Sequence, residues 1–126
     1  MSILRIVLAA LAFTLSLGAA ALEIRPYSAA ALLAAQQAGQ PVALHFHADW
    51  CPTCRSQEKT FQSFKDDAKL PMTLLVVNYD QERELKRQLK VRAQSTLVVY
   101  RGAQETRRSG GETDAAALRA TLASAL

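Results

Sequence analysis

The chain has 126 residues, of which 50% are hydrophobic and 21% are charged, and only five are glycine. This composition excludes a disordered tail and a solenoid, and it predicts one small globular unit. The formal net charge is +4. Because the basic residues are scattered and no base-stacking aromatic pattern accompanies them, nucleic acid is not an expected partner.

The start of the chain has the pattern of a secretory signal peptide. Arg5 is followed by an apolar run over residues 6–17 and then by small residues up to Ala21, where a signal peptidase would cut. We therefore expect a signal peptide over 1–21, a folded domain over 22–126, and a periplasmic or secreted protein. The apolar run is also close to the minimum length of a membrane span, so an uncleaved N-terminal anchor is the alternative.

Helical and extended patterns alternate along the rest of the chain. Ser28 is a suitable N-cap for an Ala- and Leu-rich helix that Gly39 ends. Pro52 fits the first turn of a second helix, whose Phe61 and Phe64 should face the core. The predicted elements are a helix over 29–38, a strand over 42–47, a helix over 52–65, a strand over 72–79, a helix over 81–90, a strand over 96–100, a weak strand over 105–108 and a helix over 113–126. This order predicts an α/β fold with a mixed central sheet of about four strands and helices on both faces.

The strongest functional signal is the pair Cys51 and Cys54, the only cysteines in the sequence. Two cysteines at this spacing, after an apolar strand and at the start of a helix, are typical of a dithiol that cycles with a disulfide. At the helix N-cap, Cys51 would face unpaired N–H groups and the positive end of the helix dipole, which favour a thiolate. We expect Cys51 to be the exposed attacking nucleophile and Cys54 the buried resolving thiol.

Residues 42–55 resemble the active-site strand, loop and helix of the thioredoxin family, chiefly through the Ala-Asp-Trp-Cys-x-x-Cys run at 48–54. With Glu58 four residues after the second cysteine, the segment is most similar to the periplasmic C-terminal domain of transmembrane disulfide reductases. The resemblance implies a thioredoxin fold and thiol-disulfide oxidoreductase activity that reduces protein disulfides. A membrane thiol-disulfide reductase is the implied electron donor. We expect a monomer that needs no cofactor or metal.

Two residues depart from the family pattern. Ser95 precedes Thr96 where the family usually has a cis-proline, and a trans bond is expected because a cis bond before a non-proline residue costs about 3 kcal/mol. This change puts substrate alignment and metal exclusion in doubt. His45 stands where many thioredoxins bury an aspartate beneath the resolving cysteine. It is either a proton acceptor for Cys54 or a half-buried strand histidine with a backbone partner, and His47 should lie on the same face in a packing or surface role.

The residues around the cysteines refine these expectations. Pro52 and Thr53 replace the Gly-Pro of common thioredoxins, and no histidine adjoins Cys54 as in the strongest oxidants of this fold, so we expect a reducing to intermediate potential. Trp50 should shield the dithiol and offer a flat apolar contact to substrates.

Two other functions remain open from the sequence. A copper or zinc module would use two thiolates and two imidazoles, from Cys51, Cys54, His45 and His47. A glutaredoxin-like reductase would use the turn at Gly110 and Gly111 with Asp114, which resembles a glutathione-binding turn, although Gly-Gly before a helix is first of all a turn.

Overall fold

The computed structural model describes residues 21–126, so the leader predicted over 1–21 lies outside the described residues except for Ala21. The described part contains, in chain order, β1 (Glu23–Pro26), α1 (Ala29–Gln37), β2 (Pro41–His47), α2 (Pro52–Ser63), β3 (Thr73–Asn78), α3 (Arg83–Leu89), β4 (Thr96–Arg101), β5 (Gln104–Gly110) and α4 (Ala115–Ala123). Among these helices, none is both long and apolar enough to cross a membrane.

The strands form one mixed sheet in the order β1-β3-β2-β4-β5. β1, β3 and β2 run parallel, whereas β4 is antiparallel to β2 and β5 is antiparallel to β4. The described sheet therefore has five strands rather than the predicted four. The additional strand, β1, is only four residues long and ends at Pro26, so its sequence shows little strand periodicity. It is a strand because it pairs with β3.

Helices cover both faces of the sheet, as predicted. Ala43 of β2 belongs to a core cluster with Phe61 of α2 and Leu118 of α4. The next residue, Leu44, belongs to a second cluster that includes Leu85 of α3 and packs against α1. Because successive strand side chains point to opposite faces, α2 and α4 lie on one side of the sheet and α1 and α3 on the other.

Local hydrogen bonds explain where the observed helices differ from the predicted ones. α3 begins at Arg83 rather than at 81 because the Asn78 side chain accepts the N–H groups of Asp80 and Gln81, which holds those residues in a turn. α4 begins after Asp114, whose carboxylate accepts the N–H of Ala117 at 2.9 Å.

The sheet brings two loops together at the carboxyl end of β2. Phe46 of β2 pairs with Thr96 at the start of β4, and the N–H of Ser95 donates to the Phe46 carbonyl at 2.9 Å. The loop before β4 therefore lies beside the segment that joins β2 to α2, which contains the first cysteine.

Candidate active site

Cys51 is the N-cap residue of α2, as predicted. Its backbone is extended, with φ −94° and ψ 112°, and its sulfur accepts the N–H of Cys54 at 3.1 Å. Pro52 occupies the first turn, where its missing N–H leaves no hydrogen bond unmade. The local sequence thus directs the Cys51 sulfur at the end of the helix where N–H groups are unpaired.

The burial of the cysteines differs from the prediction. Cys51 is only 3% exposed, so the expectation of an exposed nucleophile is wrong, although Cys54, at 0%, is indeed the more buried. The Cys51 sulfur is turned inward to the helix N–H, and the Ser95 hydroxyl lies 3.6 Å from it. Ala48 and Tyr79 pack against both cysteines, which are free thiols.

The two thiols differ in acidity. Burial by itself raises the pKa of Cys51, but hydrogen bonds from the Cys54 thiol, from backbone N–H groups and from the Ser95 hydroxyl outweigh it and lower that pKa below its ordinary value. Burial raises the pKa of Cys54, and its hydrogen bond to Cys51 raises it further. A lowered pKa makes Cys51 the better source of thiolate, the reactive form of cysteine.

The peptide bond before Ser95, in the loop that faces the dithiol, is trans, as expected for a residue other than proline. The described peptide bonds are all trans, and Ser95 has φ +61°, in the left-handed region that non-glycine residues rarely adopt. The Thr96 hydroxyl donates to the Ala93 carbonyl at 2.7 Å and so braces the loop.

His45 is a fully buried histidine, not a half-buried one. It is 1% exposed, and its Nε2 lies 2.9 Å from Oε1 of Gln57. Burial lowers its pKa to about 4, against the raising effect of the Gln57 hydrogen bond. The geometry thus favours a neutral core residue that is hydrogen-bonded to the Gln57 side chain, where the sequence suggested a backbone partner or a role towards Cys54.

Gln57 is the site residue that the sequence analysis missed. Its side chain is completely buried in α2. Besides contacting His45, its Nε2 donates to the carbonyls of Ser95 at 3.1 Å and Glu112 at 2.8 Å. One signal could have revealed it: Gln57 follows Cys54 by three residues and precedes Phe61 by four, so a polar residue occupies the apolar stripe of the helix.

His47, the last residue of β2, and Trp50, which directly precedes Cys51, belong to the segment that leads into the dithiol. The His47 ring is 5.5 Å from the ring of His45, so the two imidazoles share a face as expected, and its Nε2 is 3.0 Å from the Asp49 carboxylate. Trp50 is 58% exposed, with its Nε1 donating to Asp80 at 2.8 Å. An exposed, fixed indole supports the predicted contact surface for substrates better than a shielding role. His47, Asp49, Trp50 and Asp80 help to line a cleft of about 340 Å³.

The geometry gives little support to the metal-binding and the glutaredoxin-like functions. In residues 21–126, no group of three or more His, Cys, Asp or Glu side chains is arranged to hold a metal ion. The turn considered for glutathione is braced internally: the Gly111 N–H donates to the Ser95 carbonyl at 3.0 Å, and Asp114 caps α4.

The comparisons with known proteins agree with this fold and site. Residues 30–124 match the family model described as Thioredoxin. The chain belongs to the thioredoxin family. Members of this family are thiol-disulfide oxidoreductases, and the predicted family and thioredoxin fold are confirmed.

Among its thioredoxin-family relatives, the chain is 37% identical over 97 residues to the thiol:disulfide interchange protein DsbD of Klebsiella pneumoniae. That match covers 70% of this chain but only 16% of the relative. The chain is also similar to a solved structure, Trxlp from Edwardsiella tarda EIB202, with 42% identity and a TM-score of 0.74, covering 79% of this chain and 98% of that one. A Malassezia sympodialis thioredoxin, 19% identical, shares the fold with a TM-score of 0.69 and coverage of 81% and 90%.

Proposed function

We propose that this chain is an exported thiol-disulfide oxidoreductase that reduces disulfide bonds in other proteins. The observation that carries the proposal is the Cys51 sulfur at the N-cap of α2, which accepts the Cys54 N–H at 3.1 Å. Together with the lowered pKa of Cys51 and the raised pKa of Cys54, it makes the thiols unequal. One supplies the attacking thiolate, and the other keeps its proton until the second step.

The reaction proceeds by two exchanges. The Cys51 thiolate attacks one sulfur of the substrate disulfide, so that a mixed disulfide forms, the substrate S–S bond breaks and a substrate thiolate departs. Cys54 then gives its proton to that thiolate and attacks the Cys51 sulfur, which forms the Cys51–Cys54 disulfide and releases the second substrate sulfur. Two electrons pass to the substrate, and an external dithiol must reduce the protein before the next cycle.

The electron donor and the location belong to the same proposal. Identity to part of a thiol:disulfide interchange protein supports a membrane thiol-disulfide reductase as the donor. The apolar leader that ends in small residues supports export to the periplasm or outside the cell.

Reduction of insulin by the protein with dithiothreitol as donor tests the activity. We expect Cys51→Ser to abolish catalysis because it removes the attacking sulfur. Cys54→Ser is the matched control: it should also stop turnover, and when the reduced variant is mixed with insulin after dithiothreitol has been removed, it should accumulate a mixed disulfide between Cys51 and insulin that mass spectrometry detects. Full disulfide-reducing activity in a folded Cys51→Ser protein would refute the proposal.

A further inference from the structure

The buried amide of Gln57 joins three parts of the chain behind the dithiol. Its partners are His45 on β2, the Ser95 carbonyl before β4 and the Glu112 carbonyl before α4, which lie 12, 38 and 55 residues away in sequence. Burying a polar side chain completely costs free energy unless its polar atoms make hydrogen bonds. Gln57 is fully buried, and both its oxygen and its nitrogen have hydrogen-bond partners, each in a different segment.

The partners also fix the orientation of this amide. Two of them are backbone carbonyls, which only accept hydrogen bonds, so the nitrogen of Gln57 must face Ser95 and Glu112. Its Oε1 therefore faces His45, whose Nε2 carries the proton and donates it. The neutral imidazole holds the amide in the one orientation that reaches the Ser95 carbonyl.

Ser95 is in turn held on both sides of its peptide. Its N–H donates to the Phe46 carbonyl at 2.9 Å, and its carbonyl accepts from the Gly111 N–H at 3.0 Å as well as from Gln57. These bonds maintain a backbone with φ +61°, which a serine rarely adopts without such support. With the backbone fixed there, the Ser95 hydroxyl lies 3.6 Å from the Cys51 sulfur.

We propose that Gln57 is a positioning residue for Cys51 that acts through Ser95, by holding the Ser95 hydroxyl where it donates to the Cys51 thiolate. A thiolate cannot donate, so once Cys51 ionises the hydroxyl must be the donor of this contact. The inference rests on the proposed function, in which Cys51 attacks as a thiolate.

The other titratable groups near this sulfur do not take the place of Ser95. Cys54 contributes its thiol and backbone N–H from α2. Tyr79 packs against the cysteines from the end of β3, but its hydroxyl donates to the Arg92 carbonyl. His47 is engaged with Asp49.

The pH profile of Cys51 alkylation by iodoacetamide, followed by peptide mass, tests the proposal. We expect Ser95→Gly, which tolerates the positive φ, and Gln57→Leu each to move the profile to higher pH. Below the midpoint, the alkylation rate should fall roughly tenfold, the effect of losing one hydrogen bond to a charged group. Gln62→Leu, the same change at an exposed position of α2, should leave the profile unchanged.

The double variant separates positioning from general damage. If Gln57 acts through Ser95, Gln57→Leu should shift the profile no further in the Ser95→Gly background. Equal shifts in both backgrounds, or an unshifted profile in either single variant, would overturn the proposal. Should Gln57→Leu fail to fold by circular dichroism, Gln57→Met takes its place. Alkylation does not require turnover, so a wild-type protein inactive on insulin would refute the proposed function while leaving this test intact.

Discussion

The buried histidine of β2 is kept neutral by its surroundings. His45 packs edge-on against Phe61, with ring centroids 4.9 Å apart, and its Nε2 donates a hydrogen bond to Gln57. Burial dominates its pKa of about 4, and the neighbouring His47 lowers it further. A charged imidazole here would be poorly solvated. The residue therefore contributes packing and one directed hydrogen bond to the site, and it adds no positive charge at neutral pH.

Acid should destabilise the fold through this histidine. The pKa of His45 is about 4 in the folded protein against an ordinary value of 6.5, so between pH 4 and pH 6.5 the unfolded chain binds a proton that the native state does not bind. Stability should then fall as the pH drops from 6.5 towards 4, by about 3 kcal/mol in total from this group. Urea unfolding across that range should show a shallower loss for His45→Phe than for wild type. His47→Phe is the control, and an equally steep loss in His45→Phe would contradict the expectation.

At the scale of single residues, the sequence predicted those whose role depends on near neighbours in the chain. Cys51, Cys54 and Pro52 lie within one helical turn, and their spacing alone places the sulfur at the N-cap. Gln57 was missed because its role depends on loops that only the folded sheet brings to it. The burial of Cys51 was mispredicted for the same reason, since Ser95 lies 44 residues further along.

At the scale of elements, the ends of the helices were harder to predict than their existence. Each predicted helix is present, but side chains in the loops decide where it starts. The turn before α4 shows this most clearly. Glu112 accepts the N–H groups of Thr113 and Asp114, and Asp114 then caps the helix. The same Glu112 offers its carbonyl to Gln57, so the start of α4 is connected to the dithiol.

Removing the Asp114 cap of α4 should lower stability without changing the activity of the dithiol. Asp114→Ala leaves the Ala117 N–H without its partner at 2.9 Å, and we expect a loss of about 1 kcal/mol in the free energy of unfolding. Thr113→Ala is the neighbouring exposed control and should change it little. Disulfide reduction per folded molecule should stay at the wild-type level in both. A selective loss of activity with glutathione mixed disulfides in Asp114→Ala would instead favour a glutathione-binding turn.

At the scale of the whole molecule, the sheet brings the segments around the dithiol together at one end. β2 and β3 end there, β4 begins there, and the Thr96 to Gly110 pairing brings the end of β5 alongside. The order of elements was predictable because each helix or strand has its own hydrophobic pattern in the sequence. The strand β1 and the meeting of the loops depend on strand pairing, which local patterns do not show. What meets at this end is a set of hydrogen-bond donors around the Cys51 sulfur: backbone N–H groups, one thiol and one hydroxyl.

That set of donors predicts the redox potential. Stabilising the Cys51 thiolate stabilises the reduced protein and makes the couple more oxidising, but the donors are uncharged and His45 is neutral at physiological pH. We therefore expect a potential between about −270 and −180 mV, the values of thioredoxin and protein disulfide isomerase, and well below the roughly −120 mV of the strongest periplasmic oxidant. Equilibration with glutathione buffers measures it, with Cys54→Ser, which cannot form the internal disulfide, as the control. A value near −120 mV would reverse the proposed direction of electron flow, because the protein would then accept electrons from substrate thiols.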